Sequence, residues 1–209
     1  MDGVNIMVKS SLKRGVGHKH GNLREELIRV AMQLLDENGV EAVTVREVAR
    51  RASVAHSAPA NHFSSRNDLL TALAREIFSS LADRVVDKVQ AKTDLAAAVQ
   101  AFIGVWMAFA LSTPHRYRLL WRRDLVDHND PALAEEMDRV YNLLLGVLDQ
   151  GSVARRIDVD TGAIAIWSMV HGYVSLRLDG NFQPATDTIS GLPREAAIQL
   201  ALLDGLGIR

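Results

Sequence analysis

A short polar segment around residue 56 carries side chains suited to hydrogen bonding rather than to catalysis. His56, Ser57 and Ala58 open the segment, and Asn61 follows one helical turn later. Imidazole and amide groups can hydrogen-bond the edges of base pairs in a major groove, and small residues let a helix approach closely. The spacing therefore predicts a surface that reads base edges in DNA.

Two short helices joined by a tight turn would have to position this segment. Thr44 precedes the first, Val45–Arg51, and can cap its free N–H groups, while Glu47 three residues later completes a capping box. The second is predicted from about 56 to 62. Pro59 must lie in or near its first turn, because a deeper proline would cost about 3 kcal/mol. Together the two match the outline of a helix-turn-helix.

Helical periodicity extends along most of the chain, and no segment shows the alternation of a strand. Asn38-Gly39 can adopt the left-handed conformation that ends a helix, which predicts the end of the first helix there. Prolines and acidic residues typical of helix N-termini recur later in the chain. The pattern predicts an all-α fold of nine helices, at about 22–38, 45–51, 56–62, 65–90, 93–112, 114–123, 131–151, 158–180 and 193–203.

Patterns typical of enzymes are missing from the sequence. There is no G-x-S-x-G, no phosphate-cradling glycine loop and no H-E-x-x-H pair, and there is no cysteine. We therefore expect no catalytic residue, no metal ion and no cofactor. An all-helical enzyme stays an alternative hypothesis, which turnover in a panel of hydrolase or redox substrates would revive.

Charge is distributed unevenly along the chain. Residues 1–66 hold 10 lysines and arginines against 7 acidic residues, whereas residues 67–209 hold 14 against 18. The positive net charge of residues 1–66 suits a DNA-binding segment attached to an acidic domain. A basic tail is, however, more often simply solvated. We predict a disordered basic tail at 1–20, a helix-turn-helix domain at 21–66 and a larger domain at 67–209.

The sequence also indicates the cellular compartment in which the protein is expected. The N-terminus shows no signal-peptide pattern, and no apolar run approaches the roughly 20 residues of a membrane span. The longest apolar stretch, 96–111, is interrupted by Gln100 and Gly104. We expect a soluble, cytoplasmic, nucleoid-associated protein with no membrane partner.

The front segment resembles the TetR family of repressors. The family pattern T-x-x-x-[IV]-A-x-x-[AL]-G-V-S, followed after four or five residues by Y-x-H-F-x-x-K-x-x-L, is similar to residues 44–69 here. The variant recognition helix H-A-A-P is similar to His56-Ser57-Ala58-Pro59. The match spans about residues 22–75.

The resemblance implies roles for individual residues. Thr44, His62 and Arg66 would bind phosphates. Arg46 would reach a base or the nearby backbone, where its guanidinium could read a guanine bidentately. The residues that the resemblance places at the base edges are His56, Ser57, Ala58 and Asn61. Phe63 would be buried in the core and would hold the recognition helix in position.

Four positions depart from the family pattern, and at one of them Arg66 replaces the usual Lys and keeps the charge. Ala60 replaces the usual Tyr, and Ala55 replaces the usual Ser cap, which forfeits about 1 kcal/mol. Ser53 replaces the Gly of the turn, at a position that often needs a positive φ. These departures keep open a third hypothesis, a helical interaction module that does not bind DNA.

Near the C-terminus the sequence resembles a W-x-x-V-H-G signature of some TetR relatives. Trp167 and His171 stand four apart and share a helix face, and Gly172 would let another helix approach. The resemblance implies a homodimer through the last two helices, which also suits palindromic operators. The last helix is apolar and small enough for such an interface.

Aromatic residues concentrate in the larger domain. They are predicted to line a pocket for a small, largely apolar effector, and the residues are Trp106, Phe109, Tyr117, Trp121, Tyr141, Trp167 and His171. Ordinary core packing is the alternative for each aromatic, and a hydrogen-bonded structural role is the alternative for His171. The resemblance implies a repressor that leaves operator DNA when this small molecule binds.

Overall fold

The computed structural model describes residues 20–92, 94–149 and 157–208 and confirms the all-α prediction. Most of the predicted tail and Gly151, the predicted end of one helix, lie outside the described residues. The helices are α1 His20–Asn38, α2 Val45–Arg51, α3 Arg66–Val89, α4 Leu95–Ser112, α5 Pro114–Leu120, α6 Pro131–Asp149, α7 Val159–Leu178 and α8 Arg194–Gly205.

The predicted count of nine helices is wrong within these residues, since eight are α-helical. The recognition segment forms a short 3-10 helix, Ala58–Asn61, and a second 3-10 turn, Val40–Ala42, joins α1 to α2. The three-helix outline of the front of the chain is nevertheless preserved. Its core contains Leu27 and Leu34 of α1, together with Val48 and Phe63.

The helix starts follow side-chain caps. Ser65 accepts the N–H of Asp68 at 3.0 Å, and the Asp68 carboxylate accepts the N–H of Ser64 at 2.7 Å. Asp158 caps α7 and accepts the N–H of Thr161 at 2.6 Å. Asp94 caps α4 and accepts the N–H of Ala97 at 2.8 Å.

The larger domain is built around α4. It packs against α3, α6 and α7, and α3 packs along α6. In the described part of the chain, only α4 is long and apolar enough to cross a membrane, with a mean hydropathy of 1.8 over 18 residues. By length and hydropathy, α4 therefore resembles a membrane-spanning helix more closely than was expected from the sequence. Nine of its residues are buried, as in the central helix of a core.

The front and rear parts of the chain are joined by two helices. α3 begins at the end of the helix-turn-helix and continues into the rear core. α5 packs on α1, where Arg116 donates two hydrogen bonds to Asp36, at 2.7 and 2.5 Å. The domain boundaries at 66/67 stay a prediction, because a single helix crosses that point.

Candidate nucleic-acid interface and ligand cavity

Thr44 is the N-cap of α2. Its Oγ1 accepts the N–H of Glu47 at 3.1 Å, which leaves the hydroxyl proton available for an acceptor outside the protein. The predicted capping box is only half formed. The N–H of Thr44 donates to the carbonyl of Ala42, and the Glu47 carboxylate turns to the arginines of α2.

Arg46 is the exposed arginine of α2 without an acidic partner in the described residues. Glu47 pairs with Arg50 at 2.6 Å and with Arg51 at 3.5 Å, and Glu37 holds Arg51 at 2.5 Å. The hydrogen bond from Arg50 lowers the pKa of Glu47, so these pairs are charged at neutral pH. The one α2 cation that remains uncommitted is the one predicted to reach DNA.

The recognition segment presents its polar side chains outward. His56, Ser57 and Asn61 are exposed and Ala58 is half-buried. Pro59 faces the interior. Had Arg46, His56 or Asn61 been buried, the predicted DNA surface would not exist. Its assigned contacts with DNA stay a prediction.

Pro59 explains why this segment is not the predicted α-helix. An α-helix that began at residue 56 would need the N–H of residue 59 to donate to the carbonyl of Ala55, and proline has none. The chain instead uses bonds between residues three apart, including Ala58 N–H to the Ala55 carbonyl at 2.9 Å. Ala55 also lacks an oxygen that could cap an α-helix.

Ser53 occupies the turn between α2 and the recognition segment with φ 56°. It is the only non-glycine residue with positive φ among the described residues. The N–H of Val54 donates to the Ala49 carbonyl at 3.0 Å, as in a Schellman ending. The expected positive φ is confirmed, and Ser carries the strain that Gly would avoid.

Arg66 is placed differently from its predicted phosphate role. Its Nε donates to the Val43 carbonyl at 2.7 Å and its Nη2 to the Val40 carbonyl at 2.6 Å, with Glu41 3.7 Å away. The guanidinium thus braces the turn between α1 and α2. A phosphate would have to compete with these main-chain acceptors. His62, half-buried at the end of the recognition segment, keeps its predicted role as a proposal.

Five of the seven predicted pocket residues line one enclosed chamber in the larger domain. They are Trp106, Tyr117, Trp121, Trp167 and His171, joined by Phe102 and Val170. The last two were not predicted from the sequence, although Phe102 lies one helical turn before Trp106 on α4. The chamber holds about 10 Å³, room for roughly one water molecule.

Two predicted pocket residues do not line this chamber. Phe109 is buried behind it, with its ring 6.1 Å from the Trp106 ring and nearly perpendicular. Tyr141 lies on α6 and donates to Asp160 at 3.3 Å near the start of α7. Neither residue lines this chamber, and their role in a ligand pocket stays a prediction.

Tyr117 and His171 close the chamber on one side. The Tyr117 hydroxyl lies 2.6 Å from Nδ1 of His171. Burial raises the pKa of Tyr117 and desolvation lowers the pKa of His171, so both are neutral near pH 7. This bond confirms the alternative of a hydrogen-bonded histidine, although His171 also lines the chamber.

An outer cleft lies on the other side of this pair. It has a volume of about 350 Å³ and shares Tyr117, Trp121 and His171 with the chamber. The remaining lining includes Val40 of the front domain and Arg118 of α5. The cleft therefore lies where the two parts of the chain meet. No group of three metal-ligating side chains occurs in the described residues.

Fold and site together define a class: a helix-turn-helix protein with a helical body that encloses an aromatic chamber. Residues 27–73 match the family model "Bacterial regulatory proteins, tetR family", and residues 95–192 match "Tetracyclin repressor-like, C-terminal domain". The two matches cover more than half of the chain. The chain belongs to the TetR family of bacterial regulatory proteins.

Individual relatives agree with this assignment. The HTH-type transcriptional regulator BetI of Klebsiella pneumoniae (strain 342) is 31% identical over 115 residues, which cover 46% of this chain and 59% of BetI. The chain thus spans about three fifths of the length of the curated relatives it matches, which are transcriptional regulators and not in general enzymes.

Solved structures share the fold. A protein of unknown function from Rhodococcus sp. RHA1 has a TM-score of 0.75 at 24% identity, covering 93% of this chain and 99% of that one. The transcriptional regulator FadR from Bacillus subtilis, in complex with stearoyl-CoA, has a TM-score of 0.63 at 18% identity, covering 88% and 99%.

Proposed function

We propose that this protein is a cytoplasmic transcription repressor that binds operator DNA as a homodimer and is released by a small molecule. The observation that carries the proposal is the outward placement of Arg46, His56 and Asn61 on a helix-turn-helix whose Pro59 and Phe63 are buried. Buried anchors hold the recognition segment while its polar groups stay free for a groove.

The chemistry of this surface divides into two kinds of contact. The Thr44 hydroxyl and the Arg46 guanidinium, which has no ion pair within the described ranges, suit phosphates or a guanine at the edge of the site. His56, Ser57 and Asn61 suit base edges, with Ala58 allowing a close approach. Arg66 contributes indirectly, because it holds the turn that precedes α2 in position.

The homodimer is proposed through α7 and α8. Both helices leave large apolar side chains in solvent: Ile164 is 57% exposed, Leu176 41% and Leu200 44%. Exposed apolar side chains on adjacent helices are typical of an interface. A two-fold axis there would place two heads on one palindromic site.

A mobility-shift assay with DNA from immediately upstream of the gene tests the proposal. The dimeric protein should shift this DNA at low salt, and unlabelled fragments of unrelated sequence should compete poorly. Absence of any shift by a protein verified as dimeric contradicts the function and favours the interaction module. Substrate turnover would favour an enzyme.

A further inference from the structure

The chamber has an unusual lining. The chain has three tryptophans, and all of them line it: Trp106, Trp121 and Trp167. Phe102, Tyr117, His171 and Val170 complete the wall, and none of these side chains carries a formal charge near pH 7. A charged group inside the chamber would lose its water without a compensating partner, so the chamber wall favours a neutral group. Charged side chains, which include Arg118, Arg122 and Asp179, line only the outer cleft.

Trp106 has a hydrogen-bond donor that the fold does not use. The residue is 3% exposed, and its Nε1 has no hydrogen-bond partner among the residues that the structure describes. A buried donor without an acceptor costs about 1–3 kcal/mol, and folded proteins retain few of them. Nε1 of Trp121 also lacks a hydrogen bond of acceptable geometry, although it lies near enough to the Tyr117 hydroxyl to lower the pKa of that group.

The chamber and the outer cleft share three lining residues, Tyr117, Trp121 and His171. The chamber alone is too small for an aromatic ring, since a cavity that admits benzene measures about 150 Å³. The cleft, at about 350 Å³, falls within the range of small-molecule sites. Separation of Tyr117 from His171 would join the two spaces into one site.

We propose that the effector is a small, neutral aromatic compound with a carbonyl-type oxygen, which enters between Tyr117 and His171 and accepts the indole N–H of Trp106. The inference rests on the proposed function and names the ligand class of its sensing domain. The aromatic ring of the ligand takes the place of the Tyr117–His171 contact, and its oxygen accepts the buried N–H of Trp106.

Two probes of similar shape test this class. Acetophenone carries a carbonyl oxygen, and ethylbenzene has nearly the same outline without an acceptor. Calorimetry and quenching of the intrinsic tryptophan fluorescence, both on the full-length protein, should show acetophenone binding about tenfold more tightly, the upper range for one hydrogen bond.

Tryptophan variants locate the acceptor contact. W106F keeps an aromatic ring but removes the N–H, so the preference for acetophenone should disappear. W167F is the matched control, because it also removes one indole from the chamber wall but leaves the Trp106 donor, and it should keep the preference. Melting curves verify that both variants are folded.

Several outcomes would overturn the inference. They are equal affinity for the two probes in the unaltered protein, a preference that survives W106F, tighter binding of phenyltrimethylammonium or benzoate, and no binding of any probe at low millimolar concentration. The mobility shift with upstream DNA is measured separately. A protein that binds this DNA but none of the probes refutes the ligand class and leaves the proposed function standing.

Discussion

At the scale of single residues, the candidate DNA surface depends on which charges are already paired. Glu47 and Glu37 neutralise Arg50 and Arg51, whereas Arg46 remains exposed beside them without an ion pair in the described residues. Neighbouring arginines of one short helix therefore differ in their ion pairs, and only Arg46 keeps its predicted role at DNA. Arg66, with a sequence position typical of a phosphate contact, is occupied by main-chain carbonyls.

Arg46→Ala should weaken operator binding. If Arg46 contacts a phosphate, its loss should also lower the slope of log K against log salt by about one unit. Fluorescence anisotropy with labelled operator at several salt concentrations measures both quantities. Arg84→Ala, an exposed arginine on α3 of the rear domain, is the control and should change neither. Equal behaviour of the two variants would remove Arg46 from the interface.

Ser53→Gly should stabilise the protein. A non-glycine residue in the left-handed region costs roughly 1–2 kcal/mol, and the added freedom of glycine in the unfolded chain offsets about 0.4–1 kcal/mol of that. We expect a net gain of about 0.5–1 kcal/mol in the free energy of unfolding by urea denaturation. Ser53→Ala retains the strain and should give no gain, so equal stabilisation by both variants would contradict the explanation.

At the scale of secondary-structure elements, short segments connect the two functional surfaces. α5 carries Tyr117 into the chamber wall and, through Arg116, holds Asp36 of α1. The same helix brings His115 against Gly39, at the end of α1. A movement of α5 at Tyr117 would therefore also act on α1, with which the same helix is in contact.

Gly39→Ala tests this junction. Gly39 has φ 77°, and a Cβ there would lie 3.3 Å from two atoms of the His115 ring. We expect a loss of about 1–2 kcal/mol in the free energy of unfolding, chiefly from backbone strain. Gly146→Ala is the matched control, because that helical glycine has nothing within 4 Å of the added Cβ. It should instead stabilise by about 0.5–1 kcal/mol, so a loss of the same size in both variants would refute the role of Gly39.

At the scale of the whole molecule, operator recognition depends on two heads held at a defined separation. The exposed apolar side chains of α7 and α8 provide the surface through which two copies would meet. The same α7 carries Trp167 and His171 into the chamber wall. The proposed dimer surface and the chamber wall thus share α7, so the proposed dimerisation and ligand binding would be coupled through this helix.

Leu200→Arg should break the dimer. The residue is 44% exposed on α8, so the charge can be accommodated in a folded monomer but not in an apolar interface. Light scattering after size-exclusion chromatography should show the monomer mass, and operator affinity should fall. Asn142→Arg places the same charge on an exposed position of α6 and should leave the dimer intact. A dimeric Leu200→Arg variant would refute the α7–α8 interface.

The sequence by itself determined the helical class, the family and most helix limits. These features follow from caps, prolines, glycines and apolar periodicity that act within one or two turns. Thr44 is a cap as predicted, and Ser53 has the expected positive φ. The caps Ser65 and Asp158 likewise act within the first turn of their helices. The 3-10 form of the recognition segment was also implicit, because Pro59 lacks the N–H that an α-helix starting at 56 requires.

Tertiary structure alone decided which distant groups meet. Arg66 reaches carbonyls 23 and 26 residues away, and Tyr117 pairs with His171 across 54 residues. No local pattern encodes such separations, because they depend on how whole helices pack. Packing likewise brought Trp106 and Trp167 into one wall and left Tyr141 outside it. Sequence periodicity identifies the buried face of a helix, and only the packed helices determine what that face contacts.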